Sequence, residues 1–380
     1  MKLINTIIFI LSFISGLLLL ISGMVPMVSP LISSWAALIG LAFPVVFILT
    51  FLSFIYWAVQ LKWRSLFFLA CLLLNLGQLS LYAQWNSPKP NKAMGENTLK
   101  IISFNANLFG LYQDKLASPE ISTEKTAQFD SFFNIVNAQR PDIICLQEVY
   151  SKIGGLESLT KFLQKQGNFL YAQTYTLSNH RPYGMIILSK FPIVRWQPIR
   201  FDGKTGNMAM WVELTFLSPD KKHRNAKIRL YNVHLQSFRF AQKDYDVMRK
   251  QSEKKEIDID GSKGILTRLR MGYTERAKQV AFITKSMVDC TSPKIVCGDF
   301  NDVPVSYSYR QLSSGMKDAF IESGKGIETT YKGAFPSFRI DYILFENPIQ
   351  GLQYLSFEEV PSDHKLLMAT LSTQQVFKRY

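Results

Sequence analysis

Charge is what the first quarter of this chain lacks. No charged residue occurs from position 3 to 61, a second uncharged run covers 65–88, and no acidic residue precedes Glu96. Runs of that length exclude an ordinary solvated domain at the N-terminus. Cysteine is scarce as well, at four in 380 residues. Cys71 lies in an apolar stretch, Cys145 and Cys297 sit inside strand-like runs, and Cys290 ends a helix-like one. None has metal-ligand spacing or belongs to an evident disulfide framework, so most of them read as buried, inert thiols. Internal repeats and low-complexity tracts are also missing.

What is present is unevenly placed. All 29 acidic residues lie beyond position 88, with 40 of the 43 basic ones (all but Lys2, Lys62 and Arg64), a net of +11. That excess suits anionic partners such as nucleic acid, phosphorylated small molecules or anionic lipid, and equally suits solubility beside a membrane. Residues 4–24 are apolar throughout and long enough to cross a bilayer core of roughly 30 Å at about 1.5 Å per residue. No small-x-small cleavage site follows near Met24, and more apolar sequence does, which argues against a signal peptide. Further spans are expected at 35–60 and 65–82, with Trp35, Trp57, Trp63 and Trp85 near their ends, where amphipathic rings favour the interface. Three transmembrane helices are therefore expected in residues 1–85. Lys2, Lys62 and Arg64 put the N-terminus and the second loop in the cytoplasm, so the rest of the chain is expected outside it.

Residues 86–97 carry two prolines and no apolar period, a linker by composition. A strand is expected at 99–104, ending in Asn105. Phe129, Phe132, Phe133 and Val136 then give a helical period, and a strand at 142–146 ends in Gln147-Glu148. Further strands are expected at 184–189, 208–216 and 227–235, with a polar turn at 220–225 and His234 near the last strand's end. Residues 239–270 are densely charged with mixed signs and read as a solvated insertion. A helical face of Ala277, Val280, Ala281, Thr284 and Val288 leads into Lys294-Ile-Val-Cys-Gly-Asp-Phe-Asn-Asp302. There a short β-branched run stops at Asp299 and Asn301, which share a face at a strand's C-terminal end. Residues 339–345 and 366–371 close the domain.

Taken singly, Asn105, Glu148, His234, Asp299, Asn301, Asp341, Asp363 and His364 each have a bland reading as a turn cap, a surface carboxylate or a core histidine. Together they form a series of polar groups at strand ends, and they include two of the chain's four histidines. The pieces SFNAN (103–107), CLQEV (145–149), ILSKFPI (187–193), YNVHL (231–235), GDFN (298–301), RIDYIL (339–344) and SDH (362–364) resemble, in order, the endonuclease/exonuclease/phosphatase superfamily. That superfamily includes pancreatic-type deoxyribonucleases, apurinic-site endonucleases, neutral sphingomyelinases and inositol polyphosphate 5-phosphatases. The resemblance covers about residues 100–371 and leaves out the apolar N-terminus.

The resemblance implies a four-layered α/β sandwich, two mainly antiparallel sheets face to face with helices outside, over residues 98–373. It also implies metal-dependent cleavage of a phosphoester. Glu148 and Asn105 offer the hard oxygen ligands that Mg²⁺ (or Mn²⁺) takes, with Asp363 on the metal side. Asp299 is expected to be the general base and Asn301 a donor to the transition state. His364 with Asp341, and His234, are expected to face the phosphate, and Asn207 to contact substrate. Residues 181–183 supply no carboxylate for His234, where some deoxyribonucleases keep one. The expected protein is a multi-pass membrane-anchored phosphoesterase with its catalytic domain on the non-cytoplasmic side of the inner membrane and no protein partner evident. A nuclease, and an inactive membrane-anchored binding protein, are the alternatives. Lipid head group, nucleic acid and soluble ester remain equal candidates as substrate.

Overall fold

The computed structural model describes residues 2–86, 97–109, 123–151, 155–178, 181–203, 205–216, 226–240, 242–252, 258–333 and 337–377. The expected linker, apart from Asn86 and Asn97, and the polar turn at 220–225 lie outside the described residues. The chain forms two compact units, one of Met1–Ala83, Ser237–Lys278 and Asp302–Gln311, the other of Gln84–Gln236, Gln279–Asn301 and Leu312–Tyr380.

The second unit is built on twelve strands. They are β1 (Thr98–Asn105), β2 (Ile143–Tyr150), β3 (Tyr171–Ser178), β4 (Arg181–Ser189), β5 (Ile193–Ile199), β6 (Met208–Phe216), β7 (Ala226–His234), β8 (Lys294–Asp299), β9 (Met316–Asp318), β10 (Asp341–Glu346), β11 (Gln350–Phe357) and β12 (Leu366–Ser372). Six form a sheet in the order β11-β12-β1-β2-β4-β3, and six another in the order β9-β10-β8-β7-β6-β5. Each sheet contains one parallel pair, β1 with β2 and β7 with β8, and is otherwise antiparallel. This is the expected α/β sandwich.

The strands read as continuous apolar runs because both of their faces are buried. In β1, Leu99 and Ile101 join the cluster between the sheets with Ile143, Met210, Val212, Ile295 and Ile343. The alternate residues, Ile102 and Phe104, join Ile144 and Leu146 on the outer face. There Phe132 and Val136 of α6 (Thr123–Gln139), and Leu156, Leu159 and Leu163 of α7 (Gly155–Gly167), cover them. One set of side chains thus fills the middle of the sandwich and the other seats the helices.

The first unit opens with α1 (Lys2–Met24), α2 (Ser34–Leu41), α3 (Phe43–Val59), α4 (Ser65–Leu74) and α5 (Leu76–Leu79). Three regular transmembrane helices are not what these residues form. Among the described residues one helix, Leu3–Met27, is by itself long and apolar enough to cross a membrane. The second expected span is bent by 59° between α2 and α3. Pro44 lies in the first turn of α3, a position where its missing N–H costs nothing and a new helix starts readily. The third expected span breaks at Asn75, whose Nδ2 donates to Cys71 O at 2.9 Å. The 10 residues of α4 rise only about 15 Å, half of a bilayer core.

Polar side chains and rings tie these segments together. Thr50 Oγ1 donates to Ser15 Oγ (3.4 Å), Gln78 Nε2 donates to Gly23 O (3.1 Å), and Phe13 stacks on Phe67 with centroids 5.1 Å apart. The Arg64 guanidinium lies 4.2 Å from the centroid of Phe9.

The charged stretch 239–270 is not a solvated loop. It forms α8 (Gln242–Ser252) and the start of α9 (Ile259–Val288). Leu269 and Tyr273 of α9 are buried with Ala37, alongside Leu38, Leu41, Phe238, Phe240 and Ile265. The apolar stripe Ile265, Leu269, Tyr273 has helical spacing but is interleaved with charges that hide it in the sequence. Charges there are paired, Arg268 Nε lying 3.0 Å from Asp244 Oδ2; further along α9, fully buried Arg276 reaches Asp302 at 3.1 Å, with its guanidinium 4.5 Å from the ring centroids of both Phe238 and Tyr273.

Candidate active site

Sheet register brings the polar strand ends into line. In the parallel pairs Asn105 lies beside Gln147, and His234 beside Asp299; across the antiparallel pair β8–β10, Asp341 faces Asp299. Three backbone features aim the side chains. The register of β2 shifts between Leu146 and Val149, and Glu148 there has φ +48°. A bulge of this kind re-aims a side chain at the end of a ladder. Asn301, just past β8, also has positive φ (+51°). Gly298 has φ +141°, and a Cβ there would lie 1.9 Å from Val233 O, so only glycine lets β8 run this close to β7.

The carboxylate of Asp299 is the hub. Its Oδ2 accepts from Asn105 Nδ2 (2.9 Å) and Asn301 Nδ2 (3.0 Å), and its Oδ1 accepts from the Asn301 backbone N–H (2.7 Å). The Nε2 atoms of His364 and His234 stand 3.8 and 3.9 Å from Asp299 Oδ2. His234 Nε2 is nearer to Glu148 Oε1, at 3.3 Å, and Asn105 Nδ2 donates to that same oxygen at 3.2 Å. On the far side His364 Nδ1 is 2.9 Å from Asp341 Oδ2, and Asp341 N–H donates to Thr330 Oγ1. Asn207 Nδ2 lies 3.3 Å from His234 Nε2 and donates to Leu235 O at 2.6 Å.

Two expected residues stand differently. Asn301 turns its carboxamide hydrogens to Asp299 and to Leu235 O (2.9 Å). Asp363 lies at the margin, accepting from Asn107 Nδ2 at 2.7 Å and 3.9 Å from His364 Nε2. Nδ1 of His234 is buried with no hydrogen-bond partner among the described residues.

Burial and charge set the protonation states. Burial raises Asp299, the Asp341 charge raises it further, and both histidines and Asn105 oppose, leaving its pKa at about 6. Burial also pushes Glu148 up, but the hydrogen bond and charge of His234 outweigh it and hold Glu148 at about 2. His364 is depressed by burial yet carried to about 10 by Asp341 and Asp299. His234 is likewise raised, since Glu148 and Asp299 overcome its desolvation. The result is an ionised Glu148, an imidazolium at His364, and a carboxyl at Asp299 poised near neutrality.

The donor set fits a hard divalent cation. Ligand atoms of Glu148, His234 and Asp299 lie within 4.8 Å of one another, as do those of Asp299, Asp341 and His364. In the first group two carboxylates offer oxygen, the chemistry that suits Mg²⁺, whereas Asn105 turns its Nδ2 to both of them and accepts the Asn107 N–H on its Oδ1 at 3.0 Å. In the second, both Asp341 oxygens are turned to His364 Nδ1, at 2.9 and 3.2 Å.

Several residues of this network carry no obvious signal. Buried Gln147 donates to Asn232 Oδ1 at 2.7 Å, joining β2 to β7 directly beneath Glu148 and His234. Ser362 Oγ donates to Asn105 O (2.7 Å) and accepts from His364 N–H (3.0 Å), so one hydroxyl spaces a metal-side residue from a phosphate-side one. Gln147, Asn232 and Ser362 all lie inside the quoted motifs, next to residues of evident chemistry.

The apolar residues 5–82 match a domain of unknown function. No curated protein matches the chain. Among solved structures, an endonuclease/exonuclease/phosphatase from Bacteroides vulgatus is 16% identical, with a TM-score of 0.51 over 73% of this chain and 99% of its own. ANGEL2, a 2′,3′-cyclic phosphatase, is 15% identical, with a TM-score of 0.52 over 72% of this chain and 95% of its own. Likeness at that identity shows the fold alone. Residues 102–364, more than half of the chain and every group in the constellation above, match the model of one family, and the chain belongs to it: the Endonuclease/Exonuclease/phosphatase family.

Proposed function

We propose that this chain is a membrane-anchored, divalent-metal-dependent phosphoesterase. The observation that carries the reading is the convergence of Asn105, Glu148, His234, Asp299, Asn301, Asp341 and His364 from separate strand ends on one carboxylate, Asp299. Glu148 would hold the metal, Mg²⁺ or Mn²⁺, joined by Asn105 once its carboxamide turns its oxygen inward, with Asp363 at its margin; when bound it supplies Lewis-acid polarisation of the phosphoryl group. The chain's own groups do the rest. Asp299, ionised above about pH 6, accepts the proton of the attacking water. His364, kept cationic by Asp341, and His234 offset charge on the phosphoryl oxygens, and Asn207 holds His234 and contacts substrate. Asn301 fixes the rotamer of Asp299 and meets the transition state with whatever donor capacity the rearranged site leaves it.

The apolar α1 and the bent pair α2–α3 support membrane attachment. Within the first unit Arg64 packs on Phe9 and Gln78 on Gly23, so the segment from Ser65 to Leu79 runs from the start of α1 to its end. The chain then leaves at the end opposite Lys62 and Arg64, which favours a non-cytoplasmic catalytic domain. An inactive binding protein is less favoured, because an acid-rich buried cluster with this many aligned polar groups is costly to keep without use. The test is hydrolysis of bis(p-nitrophenyl) phosphate by the purified full chain with Mg²⁺, with chelator, and in Asp299→Asn. Turnover lost in the last two supports the reading; equal turnover in Asp299→Asn overturns it.

A further inference from the structure

We infer that the first unit carries a binding site for the phosphoethanolamine head group of a membrane phospholipid, centred on Arg270. A cavity of about 250 Å³ is lined by Ser34, Thr267, Arg270, Met271, Thr274 and Glu275. That is just below the roughly 300–1,000 Å³ of small-molecule pockets, so it is sized for a head group rather than a whole lipid. Arg270 gives one guanidinium hydrogen, from Nε, to Ser34 Oγ at 3.0 Å, and its plane stacks 4.2 Å from the centroid of Trp35. Among the described residues no carboxylate pairs with it. Four of its five donor hydrogens are thus left for an external acceptor, in the planar fork that suits phosphate.

The opposite charge is present too. Glu275 lines the same cavity, held at 2.8 Å by exposed Lys278, and offers a carboxylate to a ligand ammonium. A cation and an anion in one small cavity match a zwitterionic head group better than a purely anionic one.

The surroundings fit a lipid as occupant rather than a soluble phosphate. Trp35 begins the bent apolar pair α2–α3, where an indole favours the membrane interface. Met271 (63% exposed) lines the cavity and Ile32 (84%) lies three residues before Trp35, apolar side chains on which acyl chains could lie. The insertion 237–278 therefore has a task beyond solubility: it turns an arginine from α9 onto the edge of the membrane segment.

This inference rests on the membrane reading above, and the two can fail separately. The full chain, solubilised in mild detergent, is analysed by native mass spectrometry with added phosphatidylethanolamine, phosphatidylglycerol or glycerophosphoethanolamine, beside membrane fractionation of the same variants. The wild type is expected to retain phosphatidylethanolamine at least 10-fold over phosphatidylglycerol. Arg270→Ala should lose the bound lipid yet stay in the membrane fraction, with hydrolysis of a small soluble ester unchanged as a check on folding. Glu275→Gln should keep a bound phospholipid and lose the preference. Equal lipid retention in wild type and Arg270→Ala overturns the head-group site. Competition by glycerophosphoethanolamine without lipid retention assigns the cavity to a soluble phosphodiester and overturns it as well. A wild type recovered in the soluble fraction defeats the membrane reading itself.

Discussion

A carboxylate at about pH 6 and an imidazolium at about pH 10, 3.8 Å apart, define how this site should respond to pH. Base catalysis needs ionised Asp299. Because its folded pKa is raised, kcat/KM should fall as pH drops through about 6, well above the usual carboxylate range near 4. A profile flat from pH 8 to 5 would remove Asp299 as the base. Asp299→Asn should lower kcat by about 10²–10⁴-fold, the usual span for a positioned base. His364 works in the other direction: its proton is held below about pH 10, and Asp341 is the chief group holding it. In Asp341→Asn that support is gone, so the imidazolium should be lost as pH rises from 7 to 9, and activity should decline across a window where the wild type stays level. Paired pH–rate profiles check this, and superimposable ones would detach Asp341 from the chemistry.

At the scale of elements, the region that can be read from the sequence is the one with short apolar runs and abrupt ends. GDFN announces itself because an apolar β-branched run stops at a glycine and a carboxylate, and the structure accounts for that glycine by the 1.9 Å approach of a would-be Cβ to Val233 O. Gly298→Ala should therefore break the β7–β8 pairing and cost more than about 4 kcal/mol, measured as loss of soluble, cooperatively unfolding protein. The start of α9 was illegible for the opposite reason. Its buried stripe of Leu269 and Tyr273 sits among Arg268, Arg270 and Arg276, and local charge density cannot reveal that Arg276 is buried against Asp302. Nor does a hydropathy pattern show that Asn75 folds its side chain back onto Cys71 O and ends α4. Arg276→Ala would remove the cation paired with buried Asp302, and a loss of about 3–5 kcal/mol in unfolding free energy is expected, larger than for any exposed arginine of the same helix.

For the whole molecule, the orientation proposed above rests on the contacts that three apolar segments make along α1. Phe9 meets Arg64 near one end of α1, Ser15 meets Thr50 in the middle, and Gly23 meets Gln78 at the other end. A broken third segment does not change that order, because direction is set by which ends touch and not by helix length. Ser34 and Trp35, which follow the Gly23 end, also touch Arg270, a residue encoded far beyond the apolar region. Under the proposed orientation Arg270 lies on the same side as that end, with Lys62 and Arg64 at the other. Basic loops are retained in the cytoplasm. A reporter active only outside the cytoplasm should accordingly be active when fused after Tyr380 and silent when inserted between Lys62 and Arg64, and a reporter active only inside should show the reverse. Cytoplasmic activity at both positions would mean that the segment from Ser65 to Leu79 does not cross. The catalytic domain would then face the cytoplasm, and the contacts of Arg270 with Ser34 and Trp35 could not survive in the membrane.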